Sequence, residues 1–440
     1  MPIRVFQTRS AFRCRFRPSV GVLLAVLFPG GAADLAAQQD STLAASNRPI
    51  VTAGADGFTV RSADGRWRVR LAGYFQVDSR WYPADQAGTL VDGLLIRRAR
   101  PMVEGTLSRY FDFRIMPDFG SGQPTLYEAW VEARLDPALS IRAGKFKPPI
   151  GLERLQSATD LRFIERGFPT NLAPNRDVGV QLAGELARGV VNYQAGIFNG
   201  VPDLGFGDVD ANDAKELAAR IFVVPFAGRG SRAPLDLGVG IALSTGVETG
   251  TAAAPLTSAL RTPGQATFFR YRTGVSAAAT VVADGRRRRV YPQAYLYRGS
   301  FGLLAERSDN RHVVRRDTML GSFHHSGWQV AGSIFLTGER ASFRGVAPRR
   351  PLDLKAGTFG AVEVAVRVQQ TGVDEAAFAG FADPASQAQR ARSWGIGVNW
   401  YFARQIRLMV DYERTSFRGG SATGDRPAET FVATRLQFAY

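Results

Sequence analysis

The sequence predicts an all-β fold, a transmembrane antiparallel up-and-down β-barrel, and three observations predict it. Period-two alternation dominates from about residue 60 onward. No later segment is apolar enough for a spanning helix, and the first 37 residues have the layout of a secretory signal peptide. Sixteen strands is the expected count, with eighteen as the alternative, because such barrels normally hold an even number.

The N-terminus sets the compartment. Met1 to Pro18 carries Arg4, Arg9, Arg13, Arg15 and Arg17 and no acidic residue. Val20 to Phe28 is a short apolar run broken by Pro29-Gly30-Gly31, and Leu35-Ala36-Ala37 offers small residues for cleavage before Gln38. That run is far below the roughly 18 residues a spanning helix requires. Residues 1–37 therefore read as a signal peptide, 38–60 as a short periplasmic segment and 61–440 as the barrel. The one cysteine, Cys14, lies in the leader, which excludes a disulfide-stapled or zinc–thiolate design for the mature chain.

Strands follow from alternation. Trp67, Val69, Leu71, Phe75 and Val77 share one face of the first, with Arg68, Arg70, Tyr74, Gln76 and Asp78 on the other. Similar patterns read at 93–107, 111–116, 125–135, 139–147, 178–185, 190–199, 215–226 and 235–243. They continue at 267–282, 289–298, 301–311, 326–337, 358–371, 392–400, 405–417 and 430–440. The tally is 17, so one segment is misread, or Phe58–Arg61 adds a short strand. A soluble β-sandwich or propeller also alternates. Two features favour the barrel: segments of 10 or more residues, close to the ~9–11 that cross a bilayer at a tilt, and unequal connections. Asp136-Pro137-Ala138 is a tight turn, whereas 248–266 and 374–391 are long loops. The last strand, Arg435 to Tyr440, alternates and ends on an aromatic residue, as a closing strand would. It is expected to pair with the strand around 66–81.

Charge points to the partner. Removing residues 1–37 takes away five arginines and one aspartate, so the net charge of +16 falls to about +12. Export makes nucleic acid a poor partner, which leaves small anions and outer-membrane lipid. The only lysines are Lys145, Lys147, Lys215 and Lys355, so the excess is almost all arginine, whose planar fork matches oxyanions.

Gly144-Lys145-Phe146-Lys147-Pro148-Pro149-Ile150-Gly151-Leu152-Glu153-Arg154, followed by Asp160 to Arg166, resembles the hallmark stretch of the phosphate-selective porins O and P. Arg176-Asp177-Val178-Gly179-Val180, Ile96 to Arg100 with Glu104-Gly105, Ala218-Ala219-Arg220, Phe301 to Glu306, Gly327 to Val330 and Leu336 to Glu339 are similar to other blocks of that family. The resemblance spans roughly residues 60–440. It implies a homotrimeric sixteen-stranded porin of the bacterial outer membrane, with the segment after Lys147 folded inward as a constriction loop. Lys147, Arg154, Arg162 and Arg166 would lie on that loop. An ordinary solvated loop is the alternative that the residues alone leave open.

With the apolar face toward lipid, Arg98, Arg100, Arg114, Arg134, Arg142 and Arg220 face the lumen. Rings of arginine and lysine select anions, so an anion-selective diffusion channel is expected; the family resemblance implies phosphate, and pyrophosphate, polyphosphate or a broader range of anionic solutes fit the same residues. The alternative is a general or structural barrel in which these arginines pair with Asp112, Asp118, Glu128 and Glu132. Arg97 cannot share the face of Arg98, so one sits at an interface or at a bulge. No cofactor, metal or enzymatic activity is expected. His312, His324 and His325 cluster near a loop, and His325-Ser326 lacks a third group to orient a base. Arg286–Arg289 reads as a charged loop end near anionic lipid headgroups or a pore mouth.

Overall fold

The computed structural model describes residues 48–54, 57–83, 85, 90–208, 210, 212–227 and 235–440; the expected signal peptide lies outside the described residues. Sixteen strands form the wall. They are β1 (Arg68–Trp81), β2 (Gly93–Leu107), β3 (Phe111–Asp118), β4 (Thr125–Asp136), β5 (Leu139–Phe146), β6 (Asp177–Leu186), β7 (Val191–Phe198) and β8 (Glu216–Val223). The second half comprises β9 (Asp236–Thr249), β10 (Val282–Arg298), β11 (Phe301–Arg316), β12 (Met319–Phe335), β13 (Ala361–Gly372), β14 (Ala388–Tyr401), β15 (Ile406–Ser421) and β16 (Glu429–Ala439). Each runs antiparallel to the next. The ring closes where β16 pairs with β1, from Val432 opposite Trp81 to Ala439 opposite Tyr74. That is the seam expected from the C-terminal alternation.

One pleat serves two solvents. In β1, Leu71 and Phe75 are exposed on the outside, while Gln76, Asp78 and Arg80 are buried on the inside. Successive side chains point to opposite faces, so an alternating sequence presents apolar groups to lipid and polar groups to the lumen. Among the described residues no helix is long and apolar enough to cross a membrane.

The misread strand is 267–282. Only Thr267–Phe269 is extended, paired with Leu260–Arg261 in a separate two-stranded sheet, and Ala277–Ala279 is a turn of 3-10 helix. Its alternation fails in three dimensions because Phe268 and Phe269 are both buried, packed with Tyr271 in a core shared with Phe168 of the 147–176 segment and with Val314, Phe323 and Phe417 of the wall. Gly57–Arg61 is a strand, but not a barrel stave. It forms a hairpin with Ile50–Gly54 and pairs with β1 only at Arg68–Leu71, beyond the span that β16 occupies. A further correction concerns Arg286–Arg289, which lies inside β10 and is no loop end. The histidines likewise sit in β11 and β12, because Asp317-Thr318 joins those strands as a two-residue hairpin.

Connections on the side of the chain ends are mostly short, such as Pro137-Ala138, and those on the opposite side mostly long, such as 147–176 and 250–281. The Asp317-Thr318 hairpin and residues 336–360 depart from this pattern. The latter, a long connection, lies on the short-turn side and turns inward, where Phe343 stacks on Tyr295 with centroids 5.1 Å apart.

Candidate pore and its constriction

The segment between β5 and β6, residues 147–176, folds into the barrel. Pro148 and Pro149 cannot donate to a ladder, which ends β5 at Phe146. Ile150, Leu152, Leu161, Phe163, Ile164 and Phe168 are each at most 1% exposed. Burying them takes backbone polar groups out of water, and side chains of the distant wall satisfy those groups. The Leu152, Phe168 and Ile164 amides donate to Glu306, Gln369 and Asp411 at 2.6, 2.7 and 2.5 Å. Asn399, Arg407 and Arg435 donate to the carbonyls of Arg162, Leu161 and Ile164 at 3.0, 2.9 and 2.6 Å. The loop is thereby sealed against β11 to β16, and the polar space left for a path lies between it and the inner faces of β1 to β6. Replacing Asp411 and Gln369 together by alanine is expected to loosen this seal. Single-channel recordings should show larger, noisier currents; a trace identical to the parent would contradict the pinning.

Two β-bulges add side chains to that path. Gln76 pairs with Arg98 and Val77 with Ile96, so Arg97 is the extra residue of β2. The bulge lets Arg97 and Arg98 both reach Glu165, at 2.6 and 3.9 Å, which resolves the conflict visible in the sequence. In β4, Met116 pairs with Glu128 and Pro117 with Leu126, leaving Tyr127 extra. The Tyr127 ring is held between the guanidinium groups of Arg100 and Arg176, 3.6 and 4.0 Å from its centroid.

This stack divides two polar chambers. One, about 410 Å³ on the long-loop side, is lined by Arg98, Arg100, Tyr127, Arg154, Arg166 and Arg261. The other, about 370 Å³ on the chain-end side, is lined by Arg70, Arg114, Glu128, Lys147, Arg176 and Tyr440.

The six lumen arginines all face inward but are not brought together. Arg98 and Arg100 lie at the constriction and Arg114 just below it, while Arg134 and Arg220 line a wider vestibule toward the chain ends. Four of them take the carboxylate partners that the alternative reading offered. Arg100 binds Asp118 at 2.7 Å, Arg114 binds Glu128 at 3.3 Å, Arg134 binds Asp112 at 2.6 Å and Arg142 binds Glu132 at 2.8 Å. Arg220 donates to Gln293 at 3.1 Å.

The loop cations behave differently. Lys147 donates to the carbonyls of Leu155 and Gln156 at 3.1 and 2.9 Å. Arg154 donates to the Thr170 carbonyl at 2.7 Å, and Arg166 to the Glu153 and Gln156 carbonyls at 2.9 and 2.8 Å. Among the described residues no carboxylate lies within ion-pair distance of these three. Arg162 is instead paired with Glu363 at 3.2 Å, away from the open path. Burial, with Arg176 and Arg166 nearby, pushes the Lys147 ammonium well below the usual lysine range. Burial would raise Glu165, but Arg97, Arg80 and Arg98 outweigh it and hold that carboxyl well below the usual range.

Sequence reasoning missed Tyr127 and the pore role of Arg176. Tyr127 had no signal, because a bulge is invisible to strict alternation. Arg176 ends the long loop beside an alternating strand, a position that could have drawn notice. The histidines offer no dyad: His325 is buried facing inward, where Tyr271 Oη lies 2.7 Å from its Nε2, while Ser326 follows on the opposite face.

A closed sixteen-stranded wall, apolar outside and polar inside, with a loop narrowing its lumen, defines a porin of the bacterial outer membrane. The chain belongs to the family described as phosphate-selective porin O and P, whose model matches residues 69–440. Solved structures agree on the fold. The outer-membrane channel DcaP of Acinetobacter baumannii superposes with TM-score 0.54 at 12% identity, over 88% of this chain and 99% of that one. An anion-selective porin from Comamonas acidovorans gives 0.51 at 13% identity, over 85% and 100%. OprB of Pseudomonas putida gives 0.52 at 9% identity, over 84% and 94%. No curated protein matches the chain.

Proposed function

We propose that this porin is an anion-selective diffusion channel whose preferred solutes are phosphate and its condensed forms. The carrying observation is the constriction: Lys147, Arg154 and Arg166 donate to backbone carbonyls and, from Arg154, to the Asn175 amide oxygen at 3.4 Å, but to no carboxylate among the described residues, and they face the Arg100–Tyr127–Arg176 stack. A passing oxyanion can take up guanidinium donors without first breaking an ion pair at those loop residues. The paired arginines lower on the wall contribute less, since their carboxylates cancel much of their field. Family membership supports phosphate and a homotrimer. Chloride current through the purified protein should fall on adding millimolar phosphate; current indifferent to phosphate would remove the phosphate preference while leaving anion selectivity to be measured separately. Cross-linking should stop at a trimer, and a monomer as the end product would contradict that assembly.

The Lys147 shift gives a pH dependence with a definite sign. The ammonium is charged below its pKa and neutral above it, so a lowered pKa removes one pore cation earlier as pH rises. Anion selectivity should therefore decline as pH rises, and should do so well before the usual lysine range is reached. Lys147→Arg, which stays charged, should flatten that decline in reversal potential. Equal slopes for both proteins would contradict the assignment.

A further inference from the structure

The Arg286–Arg289 run is split by the pleat of β10. Arg287 and Arg289 point inward and are buried, Arg287 on Glu248 at 2.8 Å and Arg289 on Asp203 at 2.8 Å and on Glu216. Arg286 and Arg288 point outward beside Val290. Arg288 stands directly opposite Arg311 across the β10–β11 ladder. Like charges facing each other across an antiparallel pair are destabilising. Among the described residues none of these three outward arginines has a carboxylate partner. Asp309, two residues along β11 on the same face, is already held by Arg307 at 2.7 Å and by His324 at 3.2 Å.

Beside these arginines the outer wall is grooved. Outward Ala195 and Ala219 are too small to fill the surface between Leu182, Ile197, Leu217 and Leu243. The resulting groove encloses about 870 Å³ and is bordered by Arg286 and Arg288 at one end. We propose that this face binds a phosphate-bearing lipid of the outer leaflet, with its headgroup on Arg286, Arg288 and Arg311 and an acyl chain in the groove. The arginines lie toward the long-loop end of β10, the extracellular end in barrels of this kind. An oxyanion shared by Arg288 and Arg311 offsets their repulsion, and guanidinium forks bind phosphate in bidentate fashion. An inorganic anion would leave the groove unused, whereas a phospholipid uses both parts.

The test is native mass spectrometry of the detergent-purified protein with dioleoyl phosphatidic acid or dioleoyl phosphatidylcholine. Wild type should retain several-fold more phosphatidic acid. Arg286→Ser/Arg288→Ser/Arg311→Ser should lose that preference, and Ala219→Phe, which fills the groove, should reduce adducts of both lipids. Conductance depends on the inner face, so its retention shows that the variants are folded. A triple variant that keeps the preference overturns the site. So does displacement of the lipid by millimolar inorganic phosphate with no effect of Ala219→Phe, which would mark a free-anion site. Loss of oligomer in the triple variant with unchanged lipid binding would show a contact between copies instead, and would also overturn it.

Discussion

Replacing Arg98, Arg100 and Arg220 together by alanine should reduce the anion-to-cation permeability ratio by about tenfold. The effect is larger than the loss of charge alone suggests. Arg100 is the cation that pairs with Asp118, so its removal also exposes a carboxylate to the upper chamber. Charges a few ångströms apart in a partly wet lumen interact by roughly 1–2 kcal/mol, and about 1.4 kcal/mol corresponds to a factor of ten. Most of the loss should come from Arg98 and Arg100, because Arg220 lines the wider vestibule. Arg220→Ala alone should therefore shift the reversal potential only slightly. A triple variant with the parental reversal potential would refute the placement of selectivity at this wall. The paired Arg98→Ala/Arg100→Ala variant separates the two contributions.

Deleting Phe438 to Tyr440 should abolish membrane insertion before any pore property changes. The structural reason lies at the seam. Tyr440 and Gly73 exchange backbone hydrogen bonds at 3.0 and 3.1 Å, and Phe438 pairs with Phe75. Gly73 is also where the N-terminal hairpin has ended and β16 begins its hold on β1. Without those three residues the first turn of the seam has unpaired backbone groups facing lipid, each costing several kcal/mol. Heat-modifiable gel mobility in outer-membrane fractions measures the outcome. Normal amounts of folded, inserted protein after truncation would contradict this account.

The architecture was legible because the bilayer imposes one rule on every strand. Alternation placed β1 and β16 correctly and anticipated which faces meet lipid. It failed at 267–282, where a loop buries Phe268 and Phe269 against the inner wall and the 147–176 segment and so imitates a strand without crossing anything. It also cut β9 to β12 short on the long-loop side, because charged residues above the apolar band still belong to the same ladders. The site was less legible. Alternation assigned Arg98 and Arg100 to the lumen, but it could not show that Asp118 accompanies Arg100 or that Glu132 accompanies Arg142. Those pairings depend on cross-strand register. Tyr127 escaped entirely, since its inward position exists only because of a bulge opposite Pro117.

An anion-selective pore requires a net excess of available cations at its constriction. The zero-current potential of the purified porin in a planar bilayer, under a potassium chloride gradient at neutral pH, tests it most directly. The potential should have the sign of chloride permeation. A potential with the sign of potassium permeation, or a protein that inserts and conducts nothing, would contradict it.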